Sequence, residues 1–186
     1  MKDPKWQKPS ELEHTELSSS VKKWLLNEES LTARLIKKSS GSFYVNVLKQ
    51  EWTLPQISES EMLSIPSNQK CLIREVLLHC HDEPWVYART IMPKDSLVDE
   101  LDHLKNFDDK PLGHLLFTTP GATRTPFEIA KLTDKNFPKY VSYYIHRFLD
   151  ETKRDNNAFH WGRRSKFTVY NKNLLINEIF LPKFIP

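Results

Sequence analysis

The sequence lacks a long apolar run. No stretch of about 20 apolar residues is present to span a membrane, and the first 20 residues, "MKDPKWQKPSELEHTELSSS", contain no apolar segment of the kind found in signal peptides. We therefore expect a cytoplasmic protein with no membrane insertion. The formal net charge of +3 is too small to indicate nucleic-acid binding, although it suits a small anionic ligand.

Cysteine is also scarce, with Cys71 and Cys80 as the two examples. Both fall within one predicted strand, nine positions apart, so their Cα atoms are expected about 30 Å apart. This separation is far beyond the reach of a disulfide. We predict two reduced thiols.

Common catalytic and cofactor motifs are missing. The segment "GATRTP" lacks the glycine pattern of a phosphate-binding loop, and Ser165 lacks the context of a nucleophile elbow. In "HCHD", His79 and His81 would share a face of a strand, but no further ligands are placed nearby, so a polar cluster beside a turn is favoured over a metal site. Arg163 and Arg164 would point to opposite faces, which disfavours a phosphate site. We predict no metal and no organic cofactor.

The chain has 186 residues, enough for one domain with a sizeable core. Helical spacing of apolar residues predicts a helix in "SSSVKKWLLNEESLTARLIKKSSG", which "NEES" breaks in two, with Ser30 as the N-cap of the second part. Further helices are predicted in "KDSLVDELDHLKNF", "PLGHLLFTT", "TPFEIAKLTD" and "FPKYVSYYIHRFLDETKRD". The proline-punctuated segment "TLPQISESEMLSIPSNQ" is predicted to be a loop.

Strands are predicted where apolar residues alternate. "SFYVNVLKQEW" is one; "KCLIREVLLHC" and "PWVYARTIM" form a hairpin around "HDE", and "RSKFTVY" and "NLLINEIFL" form another around "NK". Hairpins joined by helices predict a single α+β domain built on an antiparallel β-sheet. We assign residues 21–186 to this domain, and residues 1–20, which are polar and serine-rich, to a loosely ordered arm.

Three predicted strands each carry a charged residue in an otherwise apolar row. Because side chains alternate along a strand, these rows are Leu72, Arg74, Val76 and Leu78; Trp85, Tyr87, Arg89 and Ile91; and Leu174, Ile176, Glu178 and Phe180. Any one charge is explained by a rim position or a structural ion pair, whereas a ligand pocket explains all three together. Arginine binds carboxylates in a bidentate manner, and a partly buried glutamate accepts from a hydroxyl or takes part in proton transfer. The predicted ligand is a small, cyclic, hydroxylated carboxylic acid.

Several stretches, taken in order, resemble bacterial chorismate lyase: "WLLNEESLTARL", "REVLL", "PWVYARTIMP", "PLGHLLFT", "EIA", "WGRRSKF" and "LLINEIFLP". They extend from about residue 21 to residue 182. The resemblance implies an α+β domain with helical flaps over a buried ligand site. It also implies a lyase that removes pyruvate from chorismate to give 4-hydroxybenzoate, the first committed step of ubiquinone biosynthesis, without a metal or organic cofactor. We expect a cytoplasmic monomer whose partners are this substrate and this product.

The resemblance also assigns site residues. The arginine of "REVLL", Arg74, is expected to bind the ring carboxylate, and the glutamate of "LLINEIFLP", Glu178, to contact the ring oxygen; both are candidate catalytic residues. Leu112 in "PLG" and Leu31 after "EES" are expected to offer backbone contacts from the flaps, although methionine is familiar at the latter position. Arg89, taken as inward on its strand, is the candidate for the side-chain carboxylate of the substrate.

The main departure from compact family members is a helical insertion at about 132–159. It includes an aromatic stripe, Tyr140, Tyr144 and Phe148, interpreted as helix packing, and it is open whether the insertion covers the site, extends the packing or mediates association. The alternative function is non-catalytic sensing of an aromatic or hydroxy carboxylate, because effector-binding domains of some transcription regulators share this fold. Those domains follow a DNA-binding winged helix, for which the polar residues 1–20 are too few. The lyase is therefore favoured.

Overall fold

The protein is built on one seven-stranded antiparallel sheet, described in a computed structural model over residues 1–12, 17–147 and 159–186. The strands are β1 (Phe43–Thr53), β2 (Cys71–Cys80), β3 (Glu83–Pro93), β4 (Thr123–Arg124), β5 (Glu128–Leu132), β6 (His160–Val169) and β7 (Lys172–Phe180). Their order across the sheet is β1-β2-β3-β7-β6-β4, and β5 also pairs with β6. The predicted single α+β domain with an antiparallel sheet is confirmed.

Five α-helices accompany the sheet within the described residues. They are α1 (Ser19–Leu25), α2 (Leu31–Lys38), α3 (Ile57–Leu63), α4 (Leu112–Thr118) and α5 (Lys139–Arg147). Short 3-10 helices occupy Pro9–Glu11, Lys94–Ser96, Asp99–Asn106 and Asp134–Asn136. The predicted break between α1 and α2 is confirmed, because the Ser30 side chain accepts from the Ala33 backbone N–H at 3.3 Å and caps α2. No helix in the described part of the chain is long and apolar enough to cross a membrane.

The two hairpins form as predicted, each around a two-residue turn with positive φ. His81 and Asp82 (φ 51° and 61°) join β2 to β3, and Tyr170 and Asn171 (φ 49° and 59°) join β6 to β7. Turns of this hand match the twist of the paired strands. The second turn lies one residue earlier than the predicted "NK".

Both faces of the central strands are covered. On one face, α1, α2 and α4 pack against residues such as Val76, Ala88 and Ile176. On the other face, Leu63 of α3 contacts Ile73 and its neighbours, while Val141 and Ile145 of α5 contact Leu77, Tyr87 and Ile179. All ten residues of β2 are consequently buried.

Two predicted segments are wrong. "TLPQISESEMLSIPSNQ" contains α3, because the Gln56 backbone N–H is capped by Glu59 at 2.8 Å and Leu63 packs on the sheet; a proline just ahead of a helix is compatible with its start. "TPFEIAKLTD" contains β5, which pairs with β6 and with Gln7 and so satisfies backbone groups that a helix would leave unpaired on β6.

The chain ends and the cysteines give further outcomes. The Lys2 backbone N–H donates to Lys135 O at 2.7 Å, and Gln7 pairs with Ile129, so the start of the predicted arm is attached to the sheet. Cys71 and Cys80 are free and buried, as predicted. Tyr140 and Tyr144 pack on the sheet face that carries α5, while Phe148 and the rest of the predicted insertion up to residue 158 lie outside the described residues.

Candidate active site

A small, partly open cavity lies between the sheet and the flap helices α2 and α4. Its volume is about 30 Å³, close to the volume of one water molecule. Strands β1, β2, β3 and β7 and the two flaps supply its walls: Thr32, Val45, Arg74, Val76, Leu78, Ala88, Thr90, Pro111, Leu112, Gly113, Ile176 and Glu178. Three of the five predicted site residues, Arg74, Leu112 and Glu178, therefore meet at one place.

The strand register explains how Arg74 and Glu178 come to face each other. Arg74 on β2 is opposite Thr90 on β3, which is opposite Ile176 on β7; Glu178 lies one row further along the same face. Two strand spacings separate them across the sheet, roughly 10 Å, and two residues along it, roughly 7 Å. Both side chains are therefore on the same face of the sheet, and both line the cavity.

Arg74 is a buried cation that forms no ion pair with a carboxylate of the described residues. Its Nη2 donates to the carbonyl oxygens of Asp108 at 2.7 Å and Lys110 at 3.2 Å, and Nε is buried with no acceptor among the described residues. Burial lowers the pKa of Arg74 to about 10, against the opposing effect of Asp109. A guanidinium in this state gains substantially from an anionic ligand that supplies the missing acceptor.

Glu178 has two neighbours of different kinds. Its side chain is 18% exposed and lines the cavity, while Oε2 accepts from Arg163 Nε at 2.6 Å. Arg163 is fully buried, and its Nη1 donates to the carbonyl oxygens of Trp24 at 2.9 Å and Asn27 at 2.8 Å. Glu178 is thus both half of an ion pair and a cavity wall, two interpretations that the sequence presents as alternatives.

The two predicted flap residues, Leu112 and Leu31, differ in whether they line the cavity. Leu112 begins α4 and lines the cavity. Leu31 begins α2 but is buried in the core beside the cavity, and its neighbour Thr32 lines the wall instead. The flaps are in close contact, since a Cβ placed on Gly113 would lie 3.4 Å from Thr32 Oγ1.

The expectation that Arg89 lines the same cavity is wrong. Arg89 is opposite Glu75 on β2 and Asn177 on β7, so it points to the other face of the sheet. There it donates to Glu59 Oε1 at 2.8 Å and to Glu75 Oε1 at 2.7 Å. Burial by itself would lower the pKa of Arg89, but Glu59, Tyr87 and Glu75 raise it above the ordinary value. These are the contacts of a structural ion cluster.

A larger cavity does not compete as the reactive site. It measures about 220 Å³ and lies between α1 and the C-terminal residues, where Trp24, Trp161 and Phe184 line it. Its described lining contains no arginine, lysine, aspartate or glutamate. The smaller cavity instead joins Arg74, which forms no ion pair with a described carboxylate, to the carboxylate of Glu178.

Comparison with known proteins shows the family of this chain. The family model described as "Chorismate lyase" matches residues 1–185. The chain belongs to the chorismate lyase family. A relative from Pseudomonas fluorescens, named probable chorismate pyruvate-lyase, is 34% identical over 88% of this chain and 80% of its own length. Relatives with the same name from Ralstonia nicotianae and Psychromonas ingrahamii are 38% and 35% identical, over 86% and 90% of this chain and 80% and 86% of their own lengths.

Solved structures of transcription regulators have a similar fold to this chorismate lyase family member. The effector domain of PhnF from Mycobacterium smegmatis superposes with a TM-score of 0.57 at 11% identity, covering 86% of this chain and 93% of that one. The C-terminal domain of the histidine utilization repressor from Pseudomonas syringae gives 0.54 at 8% identity, with coverage of 77% and 94%. At such low identity the likeness concerns the fold alone.

Sequence reasoning missed three residues of this site. Arg163 pairs directly with Glu178 across the β6–β7 ladder. Thr90 and Thr32 place hydroxyl-bearing side chains on the cavity wall. The hairpin register was the available signal for Arg163, because a turn at Tyr170 and Asn171 sets it opposite Glu178.

Proposed function

We propose that this protein removes pyruvate from chorismate to give 4-hydroxybenzoate, the first committed step of ubiquinone biosynthesis. The observation that carries the proposal is the buried guanidinium of Arg74, which forms no ion pair with a described carboxylate and shares a cavity with Glu178. Membership of the chorismate lyase family supports the choice of substrate. We further propose that the protein acts as a cytoplasmic monomer and needs no metal or organic cofactor.

The chemistry requires little from the protein beyond placement. Chorismate carries a ring carboxylate, a ring hydroxyl and an enolpyruvyl ether on the carbon next to that hydroxyl. The ether C–O bond breaks, the ring carbon that bears the hydroxyl loses its hydrogen as a proton, and the ring becomes aromatic. The departing enolpyruvate gains one proton and becomes pyruvate, so substrate atoms equal product atoms without added water. Orientation and charge stabilisation are the expected sources of rate enhancement.

Each site residue has a role suited to its surroundings. The Arg74 guanidinium binds the ring carboxylate through the donor that is otherwise unsatisfied. Glu178 accepts from the ring hydroxyl with the oxygen that is not held by Arg163, and it is placed to assist proton transfer. Arg163 fixes the orientation of that carboxylate. The α4 backbone at Leu112 and the start of α2 close over the ring.

Product release is expected to need movement of the flaps. The cavity holds about one water molecule when α2 and α4 are in contact, so a benzoate neither enters nor leaves the closed form. Opening of such flaps limits turnover in many enzymes. We therefore expect tight binding of 4-hydroxybenzoate and marked product inhibition.

A direct assay tests the proposal. Purified protein is incubated with chorismate and EDTA, and both 4-hydroxybenzoate and pyruvate are measured by chromatography. We expect equal amounts of the two products and no effect of the chelator. Light scattering checks the monomer in the same preparation. Intact chorismate after prolonged incubation with folded protein would overturn the lyase assignment.

Ligand sensing without catalysis is the second candidate, favoured by the fold shared with the PhnF effector domain. It predicts that 4-hydroxybenzoate raises the melting temperature while chorismate stays intact. In the turnover assay, activity that is lost on chelation and restored by a divalent ion would contradict the proposal that the protein needs no metal.

A further inference from the structure

The substrate proposed above has a second carboxylate, on its enolpyruvyl side chain, and this inference rests on that proposal. A dianion in a desolvated site is expected to need a second cation. Arg74 is committed to the ring carboxylate, and Arg89 lies on the opposite face of the sheet. The partner of the side-chain carboxylate must therefore be found elsewhere.

The bonding of the substrate locates this carboxylate. The side chain is attached to the ring carbon next to the one that carries the hydroxyl. If Arg74 holds the ring carboxylate and Glu178 holds the hydroxyl, the side chain extends from the Glu178 end of the cavity. Across the sheet from Glu178 are Arg163 on β6 and then Ile129 on β5, and the edge strand β4 pairs with β6 four residues further along.

Arg124 lies at this edge. It is opposite Phe167 on β6, four residues from Arg163, so Arg124 and Arg163 belong to the same face of the sheet. Both guanidinium groups lie over the buried ring of Phe127, with Cζ of Arg124 at 3.8 Å and Cζ of Arg163 at 4.3 Å from its centroid. The shared ring fixes Arg124 next to the Arg163–Glu178 pair.

Arg124 has an unused donor. Its Nη1 is buried and has no hydrogen-bond partner among the described residues, and it forms no ion pair with a described carboxylate. Burial lowers the pKa of Arg124 and Arg163 lowers it further, while Glu28 and Glu178 raise it. Glu178 is paired with Arg163, and Glu28 is exposed and forms no ion pair with Arg124, so the buried Nη1 of Arg124 remains available to an anionic acceptor.

Nearby cations are already occupied. Arg163 donates to Glu178 and to backbone carbonyl oxygens at Trp24, Leu25 and Asn27. Arg34 lies 3.8 Å over the Trp24 ring, and its Nη1 donates to Lys23 O at 3.1 Å. Of these three arginines, Arg124 is the one with a buried donor that lacks an acceptor.

We propose that Arg124 binds the carboxylate of the enolpyruvyl side chain and so distinguishes substrate from product. Arg124 does not line the cavity of about 30 Å³, which also has no room for the side chain. The side chain reaches Arg124 in the state with the flaps displaced, passing the Glu178–Arg163 pair. 4-Hydroxybenzoate lacks this carboxylate and makes no contact with Arg124.

The test compares Arg124→Gln with two other arginine variants. KM and kcat are measured with chorismate, and the Kd of 4-hydroxybenzoate is measured by calorimetry. For Arg124→Gln we expect kcat/KM to fall by roughly 10- to 100-fold, the effect of one charge-assisted hydrogen bond, while the Kd of 4-hydroxybenzoate stays within about twofold. Arg74→Gln should weaken the binding of both chorismate and 4-hydroxybenzoate. Arg34→Gln, the control for charge near Arg163, should change neither by more than about twofold.

An unreactive probe separates this inference from the lyase assignment. 3-(Carboxymethoxy)-4-hydroxybenzoate carries an ether-linked carboxylate beside the hydroxyl and cannot lose pyruvate. The Arg124→Gln variant should bind this probe more weakly than wild type does, whereas Arg34→Gln should bind it as wild type does. Both results are expected whether or not chorismate is turned over. Equal losses for the probe and 4-hydroxybenzoate, or no loss for the probe in a variant that melts like wild type, would overturn the role of Arg124. A failed turnover assay alone concerns the proposed function.

Discussion

Arg163 Nε lies 2.6 Å from Glu178 Oε2, and the two residues are directly opposite in the ladder between β6 and β7. Arg163 is fully buried, whereas the Glu178 side chain retains 18% of its exposure and faces the cavity. The pair joins the structural core to the candidate active site. Changes to Glu178 should consequently be detected in both stability and activity.

Glu178→Gln is expected to lower the free energy of unfolding by about 1–3 kcal/mol, because Arg163 keeps an acceptor but loses its buried counter-charge. Turnover of chorismate should also fall, since an amide cannot take up a proton. Urea unfolding and steady-state kinetics measure the two effects. Glu128→Gln is the matched control, because Glu128 pairs with Arg164 at 2.7 Å on the other side of β6; it should leave kcat/KM unchanged. Full activity in Glu178→Gln would exclude a catalytic role for this carboxylate.

Arg74→Gln should separate function from folding. The wild-type guanidinium is buried and forms no ion pair with a carboxylate in the described ranges, so its removal is expected to leave the free energy of unfolding unchanged or to raise it. The value of kcat/KM should fall roughly 30- to 1000-fold, because a bidentate, charge-assisted contact to the ring carboxylate is lost. Denaturant unfolding and chorismate kinetics on the same preparation provide the comparison. A folded variant within about threefold of wild-type kinetics would show that the carboxylate is bound elsewhere.

Arg89→Gln should behave in the opposite way. Its loss leaves Glu59 and Glu75 buried without their cation, and we expect a fall of about 3–5 kcal/mol in the free energy of unfolding. Arg89→Lys, which keeps the charge, should recover part of it and supplies a folded protein if the glutamine variant fails to fold. The Kd of 4-hydroxybenzoate for folded variants should remain near the wild-type value. Weaker binding of 4-hydroxybenzoate with an unchanged free energy of unfolding would indicate that Arg89 contacts the ligand after all.

The error on Arg89 has a clear physical origin. An apolar row marks the buried face of a strand only when the other face is exposed. Both faces of β2 and β3 are covered, so Arg74 and Arg89 each lie in an apolar row although they point to opposite sides. The order of the strands and their register, which decide the faces, depend on long-range pairing that alternation within one strand does not contain.

Local signals were sufficient elsewhere. Ser30 marked the start of α2, and the two hairpins followed from short polar turns between alternating segments. Predicting the partner of Glu178 requires the position of the β6–β7 turn to be known to within one residue. A turn at Asn171 and Lys172 would set Glu178 opposite Ser165, whereas the observed turn at Tyr170 and Asn171 sets it opposite Arg163. A shift of one turn residue moves each partner by two positions.

His160 gives a pH-dependent prediction. It is buried, with its ring 5.6 Å from that of Phe137, and burial lowers its pKa, opposed by Asp134 and assisted by His146. An unfolded chain binds a proton at this residue near a pKa of about 6.5, whereas the folded protein does so only at lower pH. The unfolded state thus binds more protons as the pH falls below about 6.5, so stability decreases, by up to about 1.4 kcal/mol per pH unit from this group.

His160→Gln removes this contribution, and the stability difference between wild type and variant should shrink from about pH 7.5 to about pH 5.5 in urea unfolding. A constant difference across this pH range would show that folding does not depress the pKa of His160.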